Sequence, residues 1–529
     1  MRWTTWAPTL VVLGSSGAEA ARFARAVSGD GYLAVPIGTV DKKKDKSKRA
    51  ENGTVLQTLE NMDFFYAAEI DIGTPPQTVT VLVDTGSSEL WVNPDCETAP
   101  SQTQYKQCLS FGTYDPNKSK TPPIGPFGRE TISYGDASDE STQTSATIRY
   151  YTETLSFGNS KIVNQTFGVV VESDGISQGI LGLAPDLRGG FDRDLPYTLV
   201  LSSMADQGLI NSRVFALDLR HSEDETGAVV YGGIDRNKYV GKLEKVNIIL
   251  GEKGEYRLAV ELTKLGLTVD GDSDDFTLDD DDSNVMLDSG TTLTRMHYSA
   301  AYPILEALDA RDDGEGFYYT YCSARDKEGS VDFGFGDKIV KVPFSDFILD
   351  IGDGTFCYIG LVVTTDQQIL GDSVLRAGYF VFDWDNKEVH IAQAAQCGDE
   401  DDITAVGTGD NAIPSITGNC KESDTKPTHR ATTSSSSATD DESVTRTATL
   451  PNGAYTTTYT ITSCPEFEMN CKTGVVTTQT FGARATVTVT AGSDSSNGDD
   501  DDDSGASLAR PMSWLFVVIG AFGVGLHLL

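Results

Sequence analysis

The chain has 529 residues, a formal net charge of −37 and a pI near 4.3. That length is too great for one compact core, and the acidity argues against a nucleic-acid partner, which needs a basic surface. With only five His, and neither an HExxH nor a CxxC pattern, no metal centre or cofactor is expected. The acidity suits acidic surroundings, where carboxylates are protonated and self-repulsion falls; solubility is the plainer explanation.

Residues 1–20 read as a signal peptide. Arg2 supplies charge, Trp6 to Leu13 is mostly apolar but too short to span a bilayer, and Ala18-Glu19-Ala20 fits a small-x-small cleavage site. Residues 21–49 carry eight Lys or Arg against three Asp and end in Lys48-Arg49, which resembles a dibasic processing site. A propeptide is expected, its positive charge complementing an acidic cleft; a disordered basic linker is the alternative.

From about 60 to 397, short apolar or alternating runs split by Gly, Asn and Asp predict mostly β structure. Thr78–Val83, Phe167–Glu172, Arg213–Leu219 and Gly378–Trp384 are examples. Helices are expected over Leu195–Gln207 and Tyr298–Asp309. The acidic run Asp270–Asp282 reads as a solvated surface loop, with selection of basic substrates as a second role for it. Asn52-Gly53-Thr54, Asn117-Lys118-Ser119 and Asn164-Gln165-Thr166 are N-glycosylation sequons.

Residues 398–503 are rich in Ser, Thr and Asp and poor in large apolar residues, the composition of an O-glycosylated stalk. The stretch Tyr455–Val489, with its Thr/Val/Tyr alternation, fits a small β element. Residues 504–529 then hold small residues at Ser504-Gly505-Ala506, a short spacer, and an apolar tail from Trp514 to Leu529. This matches a GPI-attachment signal with lipid added near Ser504. The competing reading, a transmembrane helix, has a tail that is short for a span.

Two short segments carry the chemistry: Val83-Asp84-Thr85-Gly86-Ser87-Ser88 and Leu287-Asp288-Ser289-Gly290-Thr291-Thr292. In each, an apolar run leads into an Asp that is followed by a hydroxyl residue and Gly. A buried carboxylate is costly unless it is hydrogen-bonded or paired. The repeat therefore points to a duplicated architecture that brings two carboxylates together. Such a pair tends to hold one proton, so one oxygen acts as base toward water while its partner acts as acid toward a carbonyl. That arrangement can hydrolyse an amide without a metal or a covalent intermediate.

On these residues the chain resembles a pepsin-type aspartic protease, a family whose two carboxyls share one proton in this way. Supporting stretches are Phe65 to Gln77, Ile180-Leu181-Gly182-Leu183, Ile369-Leu370-Gly371-Asp372, Tyr231-Gly232-Gly233-Ile234-Asp235 and Tyr379-Phe380-Val381-Phe382-Asp383. The resemblance implies an all-β, bilobal fold, with lobes 60–235 and 236–397 and the active-site cleft between them. It implies Asp84 and Asp288 as the dyad, with Thr85 and Ser289 bonded across the loops. Ser87 and Thr291, each after its Gly (Gly86 and Gly290), would support the carboxylates. Tyr134, in Ile132-Ser133-Tyr134-Gly135-Asp136, would be the flap tyrosine, with Trp91, Gly135, Asp136 and Thr292 also lining the substrate site.

Ala137 stands where the flap tip ordinarily has Gly. Asp136 has two open readings, an acid that favours Lys or Arg next to the cut and a solvated turn residue. With eight Cys, Cys96–Cys108 and Cys322–Cys357 resemble family bridges, while Cys397–Cys420 and Cys464–Cys471 rest on proximity alone. The two ends of the chain resemble the yapsin-like, GPI-anchored fungal enzymes. The expected protein is therefore a secreted, cell-surface endopeptidase, monomeric, with peptide or protein substrates, a GPI lipid in the membrane and cell-wall glucan as a further partner. The alternative is a catalytically silent peptide- or glycan-binding wall protein on the same fold.

Overall fold

The structure is a computed structural model. It describes residues 26–39, 65–121, 123–135, 143–191, 197–220, 226–350, 354–398 and 400–425, and three strands within 455–489. The signal peptide, Lys48-Arg49, Asn52, Asp136, Ala137, Cys464, Cys471 and Ser504 with its tail lie outside the described residues. The chain divides into two units, 1–429 and 430–529.

The first unit is mostly β, as the short apolar runs require. Tyr66–Ile72 and Gln77–Asp84 form a hairpin registered from Ile72↔Gln77 to Ala67↔Leu82. Its turn opens on Gly73, at φ 77°, where a Cβ would be strained. Ala68, Ile70, Ile72, Val79, Val81 and Val83 from this hairpin enter the main core, worth about 1.5–3 kcal/mol for each fully buried aliphatic side chain. These strands belong to a 14-stranded sheet that also contains Val214–Asp218, Gly378–Asp383, Glu388–Ala394 and Tyr239–Asn247. Gly378–Asp383 pairs with Val214–Asp218, so the sheet runs across the boundary expected at 235/236. The fold is the bilobal pepsin-like one.

The duplication appears in the strand pairings. In the first lobe, Gln77–Asp84 runs parallel to Gly179–Gly182, with Asp84 opposite Gly182. In the second, Asn284–Leu287 runs parallel to Gln368–Leu370, with Leu287 opposite Leu370. Leu90–Val92 and Thr294–Met296 each complete the pattern, antiparallel to the same crossing strand. Both aspartates are thus delivered at the end of a strand that is flanked by an apolar-apolar-Gly strand.

Several expected boundaries move. Tyr32–Thr39, within the expected propeptide, is a strand between Thr226–Tyr231 and Tyr66–Ile72, with Leu33, Val35 and Ile37 in the core. The folded body therefore includes residues before the expected start at 60. It also extends past 397, which corrects the stalk boundary. Ile403–Ala405 pairs with Gly233–Asp235, Cys397 is bonded to Cys420, and Val406, Ala412 and Cys420 are buried. The acidic run is not simply a loop. Asp272–Phe276 forms an exposed hairpin strand against Lys264–Val269. Asp282 is buried, with its carboxylate 3.2 Å from His297 Nδ1.

The helices come out shorter than expected, at Val200–Asp206 and Tyr298–Ala307. A further one, Gln102–Ser110, is capped by Ser101, whose hydroxyl accepts from Gln104 N–H. It carries Cys108, which the disulfide with Cys96 ties back to the start of this segment, and Cys322–Cys357 is closed as well. Asn117 and Asn164 are exposed. In the second unit, Tyr455–Thr460, Val476–Phe481 and Thr488–Val489 form a three-stranded sheet.

Candidate active site

Gln77–Asp84 is buried from Val79 onward, and Asn284–Leu287 is buried from Val285. The apolar runs therefore place Asp84 and Asp288 in the interior, 4 % and 6 % exposed. The two loops exchange hydrogen bonds. Thr85 N–H donates to Ser289 Oγ at 3.2 Å, and Ser289 N–H donates to Thr85 Oγ1 at 2.9 Å. Each hydroxyl then donates to the strand that feeds the opposite loop. Thr85 Oγ1 bonds Leu287 O and Ser289 Oγ bonds Val83 O, both at 2.8 Å. A side chain without a hydroxyl at either position would leave buried backbone groups unpaired, at about 1–3 kcal/mol each.

The carboxylates are held in matching ways. Asp84 Oδ1 accepts from Gly86 N–H at 2.7 Å, and Oδ2 accepts from the Ser87 hydroxyl. Asp288 Oδ1 accepts from Gly290 N–H at 2.8 Å, and Oδ2 accepts from Thr291 Oγ1 at 2.7 Å. The glycines are required by space. A Cβ on Gly86 would overlap the Asp288 carboxyl, and one on Gly290 would overlap Asp84 Oδ1. Burial first, then the Asp288 charge, push the Asp84 carboxyl well above the usual range, against the opposing hydrogen bonds from Ser87 and Gly86. Two carboxyls coupled in this way share their protons, which equips one oxygen to accept a proton while its neighbour donates one.

Tyr134 ends the long strand Ile124–Tyr134, which is paired to Thr144–Phe157. Trp91 Nε1–H donates to Tyr134 Oη at 2.7 Å, and Ser87 acts on the same phenol from the Asp84 loop. The Trp91–Tyr134 pair therefore stands beside the Ser87–Asp84 pair. Burial, followed by the Asp84 charge, drives the Tyr134 phenol far up, so it stays neutral. Gly135 follows it, exposed and at φ 101°. Thr292 is part-buried beside the second loop, its carbonyl accepting from Ser373 N–H at 3.1 Å.

A family model for eukaryotic aspartyl proteases matches residues 65–394. The chain belongs to that family. It is an aspartic-type endopeptidase. A protein of Aspergillus fumigatus described as "Probable aspartic-type endopeptidase opsB" is 32% identical over 390 residues, covering 71% of this chain and 78% of that one. The aspartic proteinase yapsin-3 of Saccharomyces cerevisiae is 32% identical, covering 73% of this chain and 76% of that one. Candidapepsin of Candida tropicalis is 33% identical over 64% of this chain and 81% of its own. The protease is thus of the pepsin type, in the yapsin-like group of fungal endopeptidases.

Three residues of this protease's site were missed in the sequence. Arg257 Nη1 donates to Gly86 O at 3.4 Å, bringing a cation against the first loop. Glu89 and Tyr150 meet beside Tyr134's strand. Arg257 lies in the ordinary strand Tyr256–Glu261, and nothing local marks it. Glu89 carried a faint signal, since it is an acid set directly before the buried strand Leu90–Val92.

Proposed function

We propose that Asp84 and Asp288 are the catalytic pair of a surface-anchored endopeptidase most active at acidic pH. The observation that supports this best is the matched support of the two carboxylates by two loops that bond to each other. A water between them is deprotonated by the ionised carboxylate as it attacks the peptide carbonyl carbon. The protonated partner gives its proton to the carbonyl oxygen, forming a tetrahedral diol. As the diol collapses and the C–N bond breaks, the proton taken from water passes to the leaving amine, and one diol hydroxyl returns its proton to the carboxyl that gave one. Tyr134 closes over the peptide and excludes water. As pH rises, the shared proton is lost, both carboxyls ionise, and activity falls.

Asp136 as an acid that favours a basic residue next to the cut, and removal of a propeptide after Arg49, belong to the same reading. Maturation then has to deal with the strand Tyr32–Thr39, which is already built into the sheet. The test is cleavage of a mixed peptide library at pH 4 by the secreted form ending at Thr425, with residues through Arg49 removed after folding. Cleavage is expected, with Lys or Arg enriched beside the cut, and none with Asp84→Asn. Cleavage without basic enrichment removes the role of Asp136, and equal cleavage by both forms removes the paired-carboxyl mechanism.

The apolar tail after Ser504 supports lipid anchoring, with the enzyme held at the plasma membrane or passed to wall glucan. The exposed Asn117 and Asn164 fit glycosylation in a secretory pathway. Phosphatidylinositol-specific phospholipase C should release the full-length protein from intact cells. Protein that stays with membranes after treatment, and is not covalently joined to glucan, would favour a spanning tail.

A further inference from the structure

Apart from the aspartate pair, one polar cluster ties the Tyr134 strand to the Asp84 loop. Glu130 lies on that strand and is exposed. Tyr150 lies on the partner strand, 7 % exposed, with its ring stacked on Phe127 and tilted against Tyr197. Glu89 follows Ser87-Ser88 and precedes the strand Leu90–Val92. Tyr150 Oη donates to Glu130 Oε2 at 2.8 Å and stands 3.5 Å from Glu89 Oε1. The other oxygen, Glu89 Oε2, is buried with no hydrogen-bond partner among the described residues.

A phenol has one proton to donate. If both glutamates are ionised, Tyr150 can serve only one of them, and Glu89 is left charged in a poorly solvated place. If Glu89 is neutral, its O–H donates to Tyr150 Oη and the phenol donates to Glu130. Both contacts of the chain are then made, the oxygen left without a partner, Glu89 Oε2, carries no charge, and the like-charge repulsion between the glutamates is gone.

We propose that Glu89, Tyr150 and Glu130 form a proton-dependent latch that holds the Tyr134 hairpin against the Asp84 loop. All three are positioning residues. The idea rests on the reading of Tyr134 as the side chain that closes over substrate. With Glu89 protonated, the latch joins the hairpin to the loop. Deprotonation breaks the chain at its inner end and sets Glu89 against Glu130, which loosens the hairpin.

The groups that act on Glu89 fit this behaviour. They are Glu130 from the Tyr134 strand, Tyr150 from its partner, and Asp186 from the turn after Gly179–Gly182. The Tyr134 phenol in turn feels both Glu89 and Asp84. Burial first, then Glu130 and Asp186, push the Glu89 carboxyl up to about 8, while its hydrogen bond with Tyr150 pulls it down. Because this pKa is raised in the folded state, the neutral form persists through the acidic range. The latch is lost as pH rises through about 8, and the contribution of Glu89 to stability falls from its ordinary value of 4.5 up to that point.

Hydrogen exchange over residues 124–134, in the Asp84→Asn protein from pH 5 to pH 9, tests the latch directly. After correction for the intrinsic pH dependence of exchange, hairpin protection should fall by about tenfold or more across a single step. The Glu89→Gln change in the same background should abolish the step, because the amide donates to Tyr150 at every pH. Tyr150→Phe should leave the hairpin weakly protected at all pH values. The other carboxyls around the site are common to every form, so they cancel from the comparison.

The latch is overturned if protection shows no step, or if Glu89→Gln keeps the same step as its parent. The second comparison holds even if Tyr150→Phe does not fold. This readout needs no cleavage, so failure of the peptide-library experiment and failure of the latch are separate results.

Discussion

Replacing Asp84 by Asn should lower kcat/KM for a peptide substrate by about 10⁴-fold, the upper range for losing a positioned acid–base group. The same change should make the protein more stable at neutral pH. The introduced side-chain amide would keep an oxygen for the Gly86 N–H and present its NH₂ to Ser87, so the loop retains its bonds. It removes a carboxyl that burial and Asp288 hold well above its ordinary value of 3.8.

The sign follows from proton binding. The folded state keeps a proton that the unfolded chain releases, so folding stability falls as pH rises above about 4. The amide does not titrate, so its advantage is small at pH 4 and grows toward pH 8. A gain of roughly 1–2 kcal/mol at pH 7 corresponds to ~2–8 °C in Tm, at ~2–4 °C per kcal/mol. Peptidase assays with thermal scans at pH 4 and pH 7 measure both effects. Activity within tenfold of the parent would remove Asp84 from the chemistry. A variant less stable at pH 7 would remove the repulsion account.

Ending the secreted chain at Gly398 should destabilise it severely, whereas ending it at Thr425 should not. The segment between them is a strap on the lobe junction. Arg236 N–H donates to Asp402 O at 3.0 Å, Val406 N–H to Gly232 O at 2.9 Å, and Asn419 N–H to Arg236 O at 2.8 Å. Val406 packs in a cluster with Val214, Ile234, Tyr239, Tyr379 and Val381, and Ile403, Ile413 and Ile416 lie against it. Removing the strap exposes that cluster, leaves Cys397 unpaired and strips Gly233–Asp235 of its partner strand. Loss of Val406 alone is worth about 1.5–3 kcal/mol, and loss of the disulfide about 2–4 kcal/mol. A drop of ~4 kcal/mol or more, or ~10 °C in Tm, is expected. Two truncations with Tm values within ~2 °C of each other, well below the ~10 °C expected, would mean that the strap only rests on the surface.

The strap also illustrates what the sequence hides. Residues 398–425 share the Gly, Asp and Thr content of the stalk beyond them, and Val406 and Ala412 are too few and too far apart to set a period. Their burial depends on the face they meet, which comes from distant strands. Glu89, Tyr150 and Glu130 are hidden for a similar reason. Sheet register brings them together: Tyr150 pairs with Phe127 on one side and Gly168 on the other, and Gly168 pairs with Trp91. Asp84 and Asp288 are the opposite case. Each sits in a local pattern of apolar strand, acid, hydroxyl residue and glycine, and each part of that pattern has a short-range physical reason.

The sequence by itself therefore determined the family, the mostly β architecture and the two acid-bearing loops, because strand period and turn chemistry act over a few neighbouring residues. Only the tertiary structure decided which oxygen meets which donor, where the folded body begins and ends, and which glutamate is pressed against another. Those depend on burial and on charges brought close by strand pairing, and the pKa of a carboxyl is set by what surrounds it in space.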